Sequence, residues 1–433
     1  MTEAWRTPAH HYVSPFNFAA EFVRDIKVKP GKPVQFYDST LRKAMLVAGG
    51  KLSPANQVRI AGALAEAGVS GIFYNFAYDR SILKSQAKAR ENQRGAAAVA
   101  RKFPGMRKIA CLFAFPQGFV AEEACQLALE AGMDVLEPGI PASDIDREAG
   151  APGTSRAALI EKMVKCIEYC KTLGVPVSAN YTDVGRADPE YFVEMVNAAI
   201  DVGVTEIRLT DSYSSLSPEG ARYLVRMLNE NLSKPISLSV HIHDDYGLAT
   251  AATIAAALEG AHVDTTVNGL GDKGGFAATE EVALALEFLY GVPTVINLDR
   301  LQSLSDLVVK LTGIPREPLK AVVGSDIFHV ENENAVARLL KGPVTMDDPK
   351  AKVDTRTYDP VLVGRGRTIV WGRTTLNGAA IREKARQLQL ECSDEQVARI
   401  AQEIERRLKS KRRYPCWLEE PEVEMICRTV IAG

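Results

Sequence analysis

Ser237-Leu-Ser-Val-His-Ile-His243, running into Asp244-Asp-Tyr-Gly247, has the alternation of a β-strand. Ser237, Ser239, His241 and His243 fall on one face, and Leu238, Val240 and Ile242 on the other. The apolar face is the packing face. A buried parallel strand is ordinarily apolar on both faces, so a polar face ending in two imidazoles marks something other than packing at the carboxyl end. Two histidines two apart either present nitrogens to one metal ion or sit as satisfied core histidines.

Working outward from this strand, a unit recurs along the chain. Residues 34–42 read as a first strand, and Ser53-Pro54 opens a helix with an N-cap and an N1 proline that ends at Gly68. The same glycine ending returns at Gly132, Gly174, Gly203 and Gly260, each followed closely by an apolar run. Those runs predict strands at 71–76, 108–114, 135–139, 177–181, 206–210, 237–243 and 263–267. Helical segments at 156–172, 189–201 and 218–231 alternate with them. Strand and helix alternation implies a parallel sheet, and eight such units over roughly 250 residues predict a (β/α)8 TIM barrel. An open doubly wound sheet is the rival, but no GxGxxG turn follows the first strand.

Composition narrows the class. The chain has 433 residues, 46% hydrophobic and 24% charged, which suits one large domain with an appendage. A net charge of −2 argues against a nucleic-acid or polybasic membrane surface. No run of about 18 apolar residues occurs and the N-terminus lacks a signal-peptide layout, so a cytoplasmic location is expected. The seven cysteines, at 111, 125, 166, 170, 392, 416 and 427, form no CxxC knuckle and are expected as reduced thiols; Cys166 and Cys170 lie one helical turn apart.

In a TIM barrel the chemistry lies at the carboxyl ends of the strands. That rule selects Arg42 and Lys43, Tyr74 and Asn75, Glu137, Tyr181, Thr182 and Asp183, Asp211 and Ser212, and His241 and His243. It also selects the loop Asn268-Gly-Leu-Gly-Asp-Lys-Gly-Gly275, where Asn268, Gly269 and Gly271 let backbone approach an anionic ligand or simply make a turn. Beyond about residue 300 the strand and helix alternation stops. Helices are expected at 301–312, 324–340, 376–388 and 393–408, with a polar connection over 343–353. The domains read as a 1–32 N-terminal arm, a 33–300 barrel, a 301–375 subdomain and a 376–433 helical subdomain.

Three stretches taken together, Asp38-Ser-Thr-Leu-Arg42, His241-Ile-His243-Asp-Asp-Tyr-Gly247 and Asn268-Gly-Leu-Gly271 with Glu280-Glu281, resemble the DRE-TIM metallolyase superfamily. Val323-Gly-Ser-Asp-Ile-Phe-His329, Thr357-Tyr-Asp-Pro360 and Val363-Gly-Arg-Gly-Arg-Thr-Ile-Val-Trp-Gly-Arg373 resemble the subdomains of 2-isopropylmalate and homocitrate synthases. The resemblance covers about residues 34 to 425, and no further regulatory domain is expected after it. It implies a carbon-carbon bond-forming acyltransferase that condenses acetyl-CoA, or another acyl-CoA, with a 2-oxo acid. A divalent metal (Mg, Mn or Zn) held by two histidines and an aspartate would polarise the acceptor carbonyl, an arginine would stabilise the oxyanion, and a base would help form the enolate. It also implies homodimers with exchanged C-terminal subdomains, and small-molecule substrates rather than nucleic acid or membrane as partners.

The sequence departs from this pattern at the metal. In the family an aspartate follows the arginine of strand one, and here that position is Lys43. An ammonium cannot ligate a cation and repels one by roughly several kcal/mol at an effective dielectric of about 20. Thr182 stands where the family places a glutamate, Phe276 where some members have asparagine, and Asn334 where a second tail histidine belongs, while His329 and Tyr358 match. Three readings of Lys43 stand side by side. Its ammonium takes the metal's place, or its amine forms a Schiff base; a metal binds through His241, His243 and Asp211 or Glu137; or the protein binds a ligand without turnover. The expected function is a divergent acyltransferase with Arg42, Lys43, Tyr358 and His329 catalytic, Asp211, Ser212, Tyr181, Thr182, Asn268, Gly269 and Gly271 binding substrate, and His241 and His243 holding metal or substrate. A carbon-carbon lyase or aldolase on the same scaffold is the alternative within enzymes.

Overall fold

The computed structural model describes all residues except 1–5, 8–10, 29–30, 77–85, 113–121, 343–356, 377 and 433. The chain divides into two compact units. One is Asn17–Arg316, and the other joins the residues up to Phe16 with Glu317–Gly433.

The first unit is a closed barrel of eight parallel strands: β1 (Phe36–Asp38), β2 (Gly71–Phe76), β3 (Arg107–Leu112), β4 (Val135–Pro141), β5 (Ser178–Thr182), β6 (Glu206–Asp211), β7 (Ser237–Ile242) and β8 (His262–Thr265). The strands pair in chain order, and β8 closes on β1 with Val263 opposite Phe36 and Asp264 opposite Tyr37. Closure rules out the open doubly wound sheet. Leu238, Val240 and Ile242 are buried as the sequence predicts. Inside the barrel Tyr37, Phe73, Ile109, Cys111 and Val135 form an apolar cluster.

Helix boundaries follow their caps. Ser53, Ser155, Asp188 and Ser217 each accept a hydrogen bond from a backbone N–H in the first turn, and the helices Arg156–Thr172, Pro189–Asp201 and Pro218–Asn231 run as predicted. The recurring glycine endings all take left-handed backbone, with φ between +77° at Gly132 and +96° at Gly260, a conformation a Cβ disfavours.

The first strand is shorter than the sequence suggests. It stops at Asp38 because the Asp38 carboxylate accepts bonds from the Thr40 backbone N–H and from Thr40 Oγ1, each 2.8 Å. That local turn starts a short helix, Thr40–Ala44, so Arg42 and Lys43 arrive on a helical turn and not on the strand.

The second unit has a three-stranded sheet in which the central strand β10 (Thr368–Trp371) runs parallel to β9 (His329–Val330) and antiparallel to β11 (Leu418–Glu419). Its core gathers Trp371, Val336, Ile381, Ile400, Ile404, Leu418 and Val423. The helix expected at 324–340 begins only at Glu333, because Asn332 caps it by accepting from Asn334 and Ala335 N–H and the residues before it form β9. The helix expected from 376 begins at Ala379, after Gly378 in left-handed backbone. Asp394–Ser410 opens with a capping box between Ser393 and Gln396. The connection expected over 343–353 lies outside the described residues. All seven cysteines are free, and among the described residues no helix is long and apolar enough to cross a membrane.

Candidate active site

Alternation along β4, β6, β7 and β8 turns Glu137, Arg208, His241 and Asp264 into the barrel. Arg208 is 1% exposed. Its Nη1 donates to Asp264 Oδ2 at 2.8 Å, its Nε to Glu137 Oε1 at 3.1 Å and its Nη2 to Glu137 Oε2, while the guanidinium lies 4.0 Å over the Phe73 ring. Asp264 also accepts from Ser39 Oγ at 2.7 Å and lies 2.9 Å from His241 Nδ1. Burial pushes the Asp264 carboxyl up, but His241, Arg208 and Arg42 outweigh it and hold the group well below the usual carboxylate range. Burial drives His241 down to about 3 against the pull of Asp264, so the imidazole is neutral near pH 7. Because Arg42 Nη2, 3.3 Å away, can only donate, His241 Nε2 accepts and the proton falls to Nδ1, which lies 2.9 Å from Asp264 Oδ2 without hydrogen-bond alignment.

Above this paired layer stand Arg42 and Lys43. The remaining bonds of Arg42 go to Asn75 Oδ1 at 3.5 Å and Cys111 Sγ at 3.6 Å, and among the described residues its buried Nε has no partner. Lys43 Nζ donates to Asp272 Oδ1 at 3.2 Å and sits 4.1 Å above the Phe276 ring. Burial first, then Arg42, lowers the Lys43 ammonium to about 7 against the pull of Asp272. Phe276 itself lies 4.4 Å from the His241 ring and 4.2 Å from the His243 ring. It fits because residue 271 is glycine, since a Cβ there would collide with the phenyl ring. Burial, then His241 and Lys43, pushes the His243 imidazole far below the ordinary histidine range, and its Nδ1 is buried without a partner among the described residues.

The other sequence-selected residues are placed differently. Tyr181 turns toward the helices, its hydroxyl donating to the Met195 carbonyl at 3.1 Å and its ring edge-on to Phe192. Thr182 Oγ1 donates to Asp146 Oδ2 at 2.8 Å, and Tyr213 donates to the other oxygen of that carboxylate at 3.1 Å. Asp211 accepts from Ser215 N–H, Ser215 Oγ and Leu216 N–H, so its carboxylate holds its own loop. Ser212 Oγ accepts from Asp183 N–H at 3.1 Å. Asn268 takes φ +64° and donates its backbone N–H to Glu280 Oε2, and the Gly269 carbonyl accepts from Phe276 N–H at 3.0 Å. His329 and Tyr358 belong to the second unit, with His329 edge-on to Trp417 at 4.9 Å and Tyr358 edge-on to Phe328 at 6.1 Å.

Arg208, Asp264 and Cys111 escape the strand-end rule, whereas Asp272 lies in the selected loop after β8. Charged residues alternating within Glu206-Ile-Arg-Leu-Thr210 and His262-Val-Asp264 are a signal that finds two of them, because a parallel strand carries an inward charge only beside a partner.

The donors do not fit the divalent metal that the resemblance implies. Among the described residues no group of three His, Cys, Asp or Glu side chains is arranged to hold an ion. Glu137 is bound to Arg208 and Asp211 to its loop, so each carboxylate already has partners. His241 Nε2 faces a guanidinium, and burial first, then the nearby Lys43 and Arg42, depresses both imidazoles.

Residues 33–308 match the HMGL-like family profile. The putative (R)-citramalate synthase CimA of Methanopyrus kandleri is 32% identical over 391 residues, 87% of this chain and 69% of the relative. The probable 2-isopropylmalate synthase of Ignicoccus hospitalis is 33% identical over 343 residues, 79% of each. The (R)-citramalate synthase CimA of Methanocaldococcus jannaschii is 30% identical over 377 residues, 86% of this chain and 70% of the relative. In three dimensions the hydroxymethylglutaryl-CoA lyase of Pseudomonas aeruginosa superposes with a TM-score of 0.56 at 21% identity, over 66% of this chain and 95% of that one, a likeness of fold. With the profile spanning the barrel and the synthase relatives running well past it, the chain belongs to the HMGL-like family of DRE-TIM metallolyases.

Proposed function

We propose that this protein is an acyltransferase that condenses an acyl-CoA, acetyl-CoA in the simplest case, with a 2-oxo acid at the carboxyl ends of the barrel strands. The observation that carries the reading is the pairing of Arg42 Nη2 with His241 Nε2 at 3.3 Å, while Asp264 Oδ2 approaches His241 Nδ1 to 2.9 Å without hydrogen-bond alignment. The pairing holds a guanidinium fixed at the strand ends, as needed where the acceptor carbonyl becomes an oxyanion. A general base takes a proton from the acetyl methyl group, the enolate carbon attacks the ketone carbon, the carbonyl electron pair moves to oxygen against Arg42 and that oxygen takes up a proton, and water then cleaves the thioester to a carboxylic acid and the CoA thiol. Names of relatives that are citramalate and 2-isopropylmalate synthases support the same chemistry.

Lys43 is assigned to the acceptor side of the site, and Asn268, Gly269 and Gly271 to the wall formed by the loop after β8. Tyr358 and His329 are assigned as catalytic groups on the family resemblance, as are a cytoplasmic location and a homodimer exchanging its C-terminal subdomains. The test is thiol release from acetyl-CoA across pyruvate, 2-oxoisovalerate and 2-oxoglutarate. Release with one of them is expected, and its absence with every acceptor, in folded protein, overturns the proposal.

A further inference from the structure

We propose that Arg42 and Lys43 form a carboxylate-binding pair that seats the 2-oxo acid with no divalent cation, the ammonium of Lys43 standing on the Phe276 ring in place of a metal. This rests on the condensation reading for the identity of the ligand, but the site itself follows from charge and geometry.

Among the described residues two arginines are buried, Arg42 and Arg208. Arg208 meets two carboxylates. Arg42 is buried too, yet its bonds reach only an amide oxygen, a thiol and a neutral imidazole, and none of the described carboxylates lies within ion-pair distance. Asp264 and Asp272 sense its charge without touching it, and a buried guanidinium with no contacting carboxylate is costly until an anion arrives to face it. The next residue brings a second cation, whose counter-ion Asp272 is 33% exposed and so partly solvated. Lys43 has three donors, of which Asp272 takes one.

Two further buried polar atoms, Arg42 Nε and His243 Nδ1, have no partner among the described residues, so the same spot offers unspent hydrogen-bonding groups as well as unspent charge. The planar fork of Arg42 matches a carboxylate, and a Lys43 ammonium beside it is a point charge for the neighbouring keto oxygen. Phe276 explains why an ammonium serves here. Its ring backs Lys43 at 4.1 Å and packs at a tilt against each imidazole at 4.4 and 4.2 Å, so aromatic surface lies beside both histidines. The glycine at 271 is what admits that ring.

The probe is pyruvate, measured by calorimetry on the full chain purified with chelator and kept in EDTA. Binding within about twofold of that seen with added Mg, Mn or Zn is expected. Lys43→Met, which deletes a buried charge and keeps the volume, is expected to weaken binding by about tenfold to a hundredfold, the worth of one charge-assisted hydrogen bond. Lys43→Arg keeps the charge and is expected to recover part of the loss, while melting temperatures of both variants report their folding. Pyruvate binding that appears only with added divalent ion overturns the proposal, as does stoichiometric zinc that His241→Ala removes. Inorganic phosphate that binds with the same Lys43 dependence while pyruvate does not overturns the carboxylate assignment. Thiol release separates the two proposals. Turnover that requires added metal leaves condensation standing without this site, whereas metal-free, Lys43-dependent pyruvate binding without thiol release leaves the site standing without condensation.

Discussion

Arg208 and Arg42 sit in one barrel and are treated in opposite ways. Arg208 is held between Glu137 and Asp264 with a ring beneath it, and all three of its guanidinium nitrogens are bonded. Arg42 and Lys43 are buried with neutral or partly solvated partners. The lower layer spends its charge on holding the barrel, and the upper layer keeps its charge for a ligand. Burial alone therefore does not distinguish a structural ion from a functional one; the count of counter-charges does.

The sharpest way to break this contrast is Arg208→Met. Removing the cation strands two buried carboxylates, and a loss of about 3–5 kcal/mol in denaturant unfolding is expected. A loss under about 1 kcal/mol would place the two arginines in the same class.

Arg42→Met is expected to do the reverse. Stability should hold or rise, since a poorly paired buried cation is deleted, while kcat/KM falls about 10²- to 10³-fold, the usual effect of losing one oxyanion donor. Unfolding and thiol-release assays on the same preparation read the two effects together.

Lys43 gives a pH signature. The folded protein binds its proton more weakly than the unfolded chain does, with the ammonium lowered from 10.5 to about 7. The unfolded chain therefore takes up the proton first as pH falls. The stability from keeping Lys43 neutral is fully present above pH 10.5 and is lost on descending through the window to 7, by up to a few kcal/mol, on the order set by linkage. Melting curves of wild type against Lys43→Met across that window should diverge as pH falls, with the wild type losing ground. Pyruvate should narrow the gap by favouring the charged form. Parallel curves would show that Lys43 does not titrate there.

Gly271→Ala carries the smallest expected effect. The new methyl group pushes on the Phe276 ring, costing about 1–3 kcal/mol of stability. It should also weaken pyruvate binding, because the ring that backs Lys43 is displaced. An unchanged binding constant would detach the aromatic wall from the site.

Elements governed by local chemistry are legible along the chain. Ser155, Asp188 and Ser217 cap helices whose ends coincide with the sequence reading, and five glycines in left-handed backbone mark the returns to the barrel. Local rules mislead where a side chain intervenes, as at Asp38, whose bonds to Thr40 turn the chain out of the strand before Arg42. At the site, Arg42, Lys43, His241 and His243 come together as strand-end position suggests. The partners that decide their charge do not follow from position. Asp264 meets Arg208 across a separation of 56 residues, and Lys43 meets Asp272 across 229. Tyr181 turns the other way because its hydroxyl finds the Met195 carbonyl between helices.

The seating of Lys43 on Phe276 also makes the site visible to spectroscopy. Methylene protons next to an ammonium 4.1 Å above a phenyl face lie in the shielding cone of its circulating electrons, so their resonances should move upfield of those of solvent-exposed lysines. An anion that draws the ammonium off the ring would return those resonances toward ordinary values. Lysine labelled with carbon-13 at the ε position thus reports directly, in solution and without any turnover, whether the seat is taken.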